Sequence, residues 1–259
     1  MTLHGIGAYR GGRMWALPAL HPPGPAQSED LIHFTQRPCG RPPTETVPQN
    51  IRDMSAQQRL DAILAGGQLW AFPPFGANGC ATISFSEAPE PHLIHLIEDH
   101  GFPPWGLVFG RSSILGAGGG AVAYLPQHVR ERFPEELRHW VVPFGTNGRF
   151  EDWSHEREWR LPVPGSQGFP LEGSLRAVLI GDITWRPTRV STGNWWNPED
   201  GSLESEFRDP PWQEETELPE LWRTAEIWCW NRHTRSIDRH PPGTPDHTTL
   251  VTSWWGEWS

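Results

Sequence analysis

The 259-residue chain contains no lysine, and all 21 of its basic residues are arginine. Every fixed positive charge is therefore a planar guanidinium, suited to carboxylate or phosphate. Schiff-base chemistry and a P-loop lysine are excluded. Cysteine is scarce as well. Cys39, Cys80 and Cys229 are far apart and odd in number, which argues against a disulfide framework or a zinc site and points to a reducing compartment. No run approaches the roughly 18 consecutive apolar residues of a membrane-spanning helix. Residues 1–29 also lack the apolar stretch of a secretory signal. A cytoplasmic protein with no membrane partner is the expectation.

Tryptophan, proline and glycine are plentiful, at 16, 28 and 27 residues, and a GC-rich genome would explain both this bias and the missing lysine. The 36% of hydrophobic residues suffice for one large domain or two small ones. The formal charge of -10 is unevenly spread. Residues 198–220 carry nine acidic side chains against Arg208, leaving 22 acidic groups against 20 arginines elsewhere. The body is close to neutral, so the total does not argue against a nucleic-acid partner.

Along the chain, HPPGP at 21–25 keeps residues 1–29 irregular. Leu31 to Thr35 reads as a strand, with His33 and Thr35 sharing a face. Ser55 and Gln58 form a capping box ahead of Leu60, Ile63 and Leu64, and Gly66-Gly67 ends that helix. Cys80 to Ser86 alternates as a strand with Thr82, Ser84 and Ser86 on one side. Residues 89–100 predict a helix facing Leu93, Leu96 and Ile97 inward. Strands follow at Trp105 to Phe109 and Ala121 to Leu125, with the glycine cluster at 116–120 read as a loop. A short helix runs from Pro134 through Trp140. Glu156 to Leu161 alternates with Glu156, Glu158 and Arg160 on one face, and Leu175 to Ile180 is a buried strand. A helix over Leu218, Leu221, Trp222 and Ala225 and a strand near Thr248 to Trp255 complete the pattern. Strands outnumber helices without regular alternation, which predicts an α+β fold.

Three of these strands carry polar pairs spaced by two: His33-x-Thr35, Ser84-x-Ser86 and Glu156-x-Glu158. Period-two spacing places each pair on one side of its strand, so neighbouring strands would line one cleft. This order of His-x-Thr, Ser-x-Ser and Glu-x-Glu resembles the three-part signature of mono-ADP-ribosyltransferases. With LDAILAGGQLWA, HEREWR and LRAVLIG it is similar to the DarT-type DNA ADP-ribosyltransferases. HFT, ISFSEAP, WGLVFGRSSIL, GAVAYLP and HEREWRLPVP also resemble the AbiGi-type abortive-infection proteins of bacteria. Together these matches cover residues 31 to about 187. The Pro-rich insertion after HFT and the FSEAP element depart from the DarT pattern.

The resemblance implies an ADP-ribosyltransferase-like α+β domain over residues 30–190, with split mixed or antiparallel sheets and flanking helices. An acidic loop and Trp-rich extension, 191–259, would pack on it. It implies NAD as cofactor and an acceptor that is nucleic acid in preference to protein. The biological role would be that of a toxin or effector in phage defence, with an antitoxin as a possible partner. Glu158 would be the key carboxylate, stabilising charge that develops on the ribose, and Glu156 would position or deprotonate the acceptor. His33 and Thr35 would meet the adenosine side and Ser84 and Ser86 the nicotinamide end. Arg111 would clamp the pyrophosphate, and Trp70, Trp105 and Tyr124 are stacking candidates.

Each residue also has an ordinary structural explanation. Glu158 could be an ion-pair partner of Arg160 or Arg157, His33 a satisfied strand histidine, and the serines cross-strand hydroxyls. His92, His95 and Asp99 share a helical face that could hold zinc, but the flanking apolar residues are explained by packing and no metal is expected. The alternative function is a non-catalytic abortive-infection protein that binds a partner protein through its Trp-rich end.

Overall fold

A computed structural model describes residues 26–38, 46–74, 80–144, 153–163, 165, 168–199, 201–203 and 212–244. The expected irregular lead-in through residue 25 and the expected strand near Thr248 lie outside the described residues, as does Cys39.

The chain begins with β1 (Asp30–Phe34), a short α1 (Gln49–Arg52) and α2 (Ala56–Gly66). The Ser55 hydroxyl accepts from the Gln58 amide and the Gln58 side chain accepts from the Ser55 amide. Gly67 closes α2 in the left-handed region at φ 67°. This reciprocal cap satisfies two of the donors every helix start leaves open, and is worth about 1 kcal/mol. Next come β2 (Gln68–Leu69), β3 (Thr82–Glu87), α3 (Glu90–Glu98), β4 (Gly106–Gly110), α4 (Arg111–Gly116), β5 (Gly120–Ala121) and β6 (Ala123–Pro126). They are followed by α5 (Gln127–Arg130), a 3₁₀ turn (Glu135–Trp140), β7 (Val141–Phe144), a second 3₁₀ turn (Ser154–Glu156) and β8 (Glu158–Pro162). The rest is β9 (Phe169–Pro170), β10 (Leu175–Ile180), β11 (Val190–Trp196), β12 (Gln213–Glu217), α6 (Glu220–Thr224), β13 (Glu226–Asn231) and β14 (Ser236–His240).

Eight strands form one sheet in the order β14-β13-β10-β4-β1-β3-β8-β5, antiparallel throughout except where β13 runs parallel to β10. The fold is thus mixed α+β with a mostly antiparallel sheet and few helices. Alternation gives the sheet two apolar faces. Leu31, Phe85, Phe109, Trp159, Val178 and Ile227 pack with Leu60 and Leu64 of α2 and Trp222 of α6. Ile32, Val108, Leu179 and Trp228 pack with Leu93, Leu96 and Ile97 of α3.

Several local expectations change. The glycine-rich stretch is entered by α4, too short to show helical periodicity. The expected Ala121 to Leu125 strand breaks at Val122, whose amide bonds to the Glu158 carbonyl (3.0 Å), so β5 joins the main sheet while β6 pairs with β7. Glu156 does not extend the strand of Glu158. Arg157 has φ 46°, a left-handed conformation that interrupts an extended run, so Glu156 sits on the preceding 3₁₀ turn and not one alternation away on β8. The segment after residue 190 supplies two strands of the main sheet. At the centre, Gly106 is required by close approach: a Cβ there would lie 2.6 Å from the His33 carbonyl oxygen.

Candidate functional site

The three strands with polar pairs, or their immediate flanks, are neighbours in space: β1, β3 and β8 lie side by side. The β3–β8 ladder sets Ser86 opposite Glu158 and Ser84 opposite Arg160. The β1–β3 ladder is short, pairing only Leu31 with Glu87 and Ile32 with Ser86. Beyond Ile32 the two strands part, and a cleft of about 460 Å³ opens between them. His33, Thr35, Ser84, Ser86, Glu156 and Glu158 all line it, together with Trp70, Phe72 and residues of α1 and α2. From the register, His33 alternates with Leu31 and Phe85 on one face, whereas Ser84, Ser86 and Glu158 lie with Ile32 on the other. The pairs meet because the sheet splits there.

Glu158 is held from several sides. Its Oε1 accepts from the Ser84 hydroxyl (2.7 Å) and from Arg160 Nε (2.7 Å), and its Oε2 accepts from Arg160 Nη2 (3.1 Å). This is the two-pronged guanidinium–carboxylate geometry. Arg160 also donates to the His139 carbonyl, and the Glu158 amide donates to the Tyr124 hydroxyl (2.7 Å). The carboxylate side chain keeps only 12% of its exposure. Tyr124 therefore buttresses the strand from behind, and burial pushes its hydroxyl well above the ordinary tyrosine range.

His33 Nδ1 meets the Ser84 carbonyl at 2.9 Å. A carbonyl only accepts, so Nδ1 carries the proton and the neutral ring presents Nε2 as an acceptor. Burial holds its pKa below the ordinary histidine value despite that hydrogen bond. The Thr35 hydroxyl lies within hydrogen-bonding distance of the Ala56 (2.7 Å) and Trp105 (3.0 Å) carbonyls, tying the end of β1 to α2. Glu156 reaches the cleft from its 3₁₀ turn, which α3 braces. His92 Nε2 donates to the His155 carbonyl (2.7 Å), and the rings of His100 and His155 stack at 4.0 Å.

Three residues expected at the site do not line the cleft: Tyr124, whose hydroxyl is taken by the Glu158 amide, Arg111 and Trp105. Arg111 stacks its guanidinium over the Trp159 ring (5.4 Å) and is not among the residues lining the cleft. Trp105 packs edge-on against Trp185 (5.2 Å), which in turn packs against Trp222 (5.5 Å). Trp70, by contrast, lies at the cleft with about half of its surface exposed. Among the described residues no group of three or more His, Cys, Asp or Glu is arranged to hold a metal ion. His95 Nδ1 donates to Asp99 (2.5 Å). Among the described residues no helix is long and apolar enough to cross a membrane.

Sequence reasoning reached Arg160 but missed the other arginines of the cleft. Arg37, Arg52, Arg59 and Arg160 line it against Glu156 and Glu158, so a chain with net charge -10 has a cleft with an excess of positive charge. Arg59 spends its guanidinium on three backbone carbonyls, those of Ile51 (2.9 Å), Thr35 (3.1 Å) and Arg52 (3.1 Å). Its position one turn before Ile63, on the inward side of α2, was the available signal.

The histidines set a pH response. Burial is the largest cause holding His33, His92, His139 and His240 below the ordinary value of 6.5. The unfolded chain takes up these protons as pH falls through 6.5, and the folded chain does so only at lower pH. The stability from neutral imidazoles is complete above 6.5 and is lost on acidification toward the folded values. Asp30, whose carboxyl burial raises, opposes this only in the carboxylate range. Thermal unfolding followed by circular dichroism should show a Tm lower by about 5 °C at pH 5.5 than at pH 7.5. A Tm that stays flat or rises contradicts the assignment.

Comparison of the chain with protein-family models, curated proteins and solved structures finds no match.

Proposed function

We propose that the chain is an NAD-dependent mono-ADP-ribosyltransferase that modifies a macromolecule, nucleic acid in preference to protein, as a toxin or effector in bacterial phage defence. The observation that carries this reading is the meeting of His33, Thr35, Ser84, Ser86, Glu156 and Glu158, drawn from three distant stretches of sequence, in one cleft. Its volume lies in the range of small-molecule sites, and its polar groups are of the kinds the cofactor needs. These are a neutral imidazole acceptor, hydroxyls, a held carboxylate and arginine.

When bound, NAD supplies an ADP-ribosyl group whose bond to nicotinamide breaks with positive charge developing on the ribose. Glu158 stabilises that charge. Ser84 and Arg160 hold the carboxylate in place before the reaction, so little reorganisation is needed. His33 Nε2 accepts a hydrogen bond from a ribose hydroxyl. Glu156, on its own turn, takes the proton that the acceptor loses. Trp70, exposed at the cleft, is placed to stack on a ring of the cofactor or of the acceptor.

The exposed pair Trp195 and Trp196 on the β11–β12 hairpin favours the second reading, a partner-binding protein without catalysis. The two readings part on the cofactor. Incubation with labelled NAD and cellular DNA, RNA or protein should transfer label to one class of acceptor or release nicotinamide. No transfer, no hydrolysis and a silent calorimetric titration at millimolar NAD would leave the partner-binding reading.

A further inference from the structure

Four arginines line the cleft, and two of them are already engaged. Arg59 gives its donors to three carbonyls, and Arg160 gives its donors to Glu158 and the His139 carbonyl. Arg52 and Arg37 differ. Among the described residues neither side chain has an ion-pair or hydrogen-bond partner, and Arg52 Nε is buried without an acceptor. A buried donor on a charged group that bonds to nothing is costly, and one that lines a cleft is open to an acceptor from outside the chain. The position of Arg52 is also built. It is the last residue of α1, its carbonyl accepts from Arg59 Nη2, and the same guanidinium holds Ile51 and Thr35, so the last turn of α1 is tied to the end of β1. Arg37, exposed just beyond that strand, supplies a second charge at the rim.

We propose that Arg52, with Arg37 at the rim, forms an anion subsite of the cleft that takes the diphosphate of a nucleotide. The guanidinium fork matches paired phosphate oxygens, with Nε and one Nη donating in parallel. Arg111, stacked on Trp159 away from the cleft, does not serve this role. In naming the phosphate contacts of the cofactor, the assignment rests on the reading of this cleft as an NAD site.

The test is calorimetric titration of ADP, adenosine and inorganic pyrophosphate into the full chain and into Arg52→Gln and Arg52→Lys. Arg52→Gln should weaken ADP about 10- to 100-fold and leave adenosine unchanged. Arg52→Lys, which keeps the charge but loses the fork, should recover only part of that loss. The subsite is overturned if Arg52→Gln binds ADP as the parent does, if ADP and adenosine weaken equally, or if the parent binds neither ADP nor pyrophosphate. Failure of the transferase reading looks different: ADP binding still depends on Arg52, but the parent neither binds nor cleaves NAD.

Discussion

Glu158→Gln should reduce NAD cleavage and label transfer by about 10²- to 10³-fold, the range seen when a group that stabilises transition-state charge is removed. The amide keeps the volume of the carboxylate and its oxygen can still accept from Ser84, but it carries no charge to place beside the ribose. The same change leaves Arg160 without a counter-ion. Breaking a fully buried pair costs about 3–5 kcal/mol. Here the side chains keep 10% and 12% of their exposure and lie at an open cleft, so a cost of about 1–2 kcal/mol is expected. Circular dichroism should therefore show a native spectrum and a Tm lower by a few degrees. Ser84→Ala, which removes only one of the contacts to Oε1, should cost closer to tenfold in activity. If Glu158→Gln retains activity within tenfold while the Tm falls, Glu158 is an ion-pair partner of Arg160 and nothing more.

The largest loss of stability is expected from Arg59→Met. Methionine keeps much of the apolar stem, so the change isolates the guanidinium. Three carbonyls lose charged donors at once, and they belong to two pieces of chain, the end of β1 and the whole of α1. Hydrogen bonds to charged groups contribute about 1.5–3 kcal/mol each and do not add fully, which puts the total near 3–5 kcal/mol. For a chain of this size that is a fall of roughly 10 °C in Tm. The effect should also be local. With α1 released from β1, hydrogen exchange at residues 49–53 should accelerate more than at α3, on the other face of the sheet. Equal acceleration at both would show that Arg59 supports the fold as a whole and not this wall of the cleft.

How far the sequence spoke depended on whether a signal was local. Ser55, Gln58 and Gly67 act within one helix, and the α2 boundaries follow from them directly. The inward positions of α3 are likewise a matter of spacing alone. Strand alternation was enough to identify the His33, Ser84 and Glu158 neighbourhoods as candidates, but it says which side of a strand a residue takes and not which strand lies beside it. The resemblance puts Trp105, Arg111 and Tyr124 at the cofactor, whereas the packing of Trp185, the ring of Trp159 and the Glu158 amide engage them. Glu156 was placed by a period of two that Arg157 breaks at a single backbone angle. Arg52 follows no pattern, and Arg59 has only its place one turn before Ile63, because the partners a guanidinium finds or lacks are set in three dimensions.

The parallel pairing of β13 with β10 bears on how the chain is made. Ala177 to Ile180 are fully buried, yet one side of their strand is covered by residues 226–231, which leave the ribosome long after them. Until that segment emerges, a nascent chain that has already assembled β1, β3, β4, β8 and β10 presents an apolar strand with unpaired amides and carbonyls along its free edge. Such an edge is a template for pairing with another chain. Synthesis of residues 226–231 is thus the step that covers this edge.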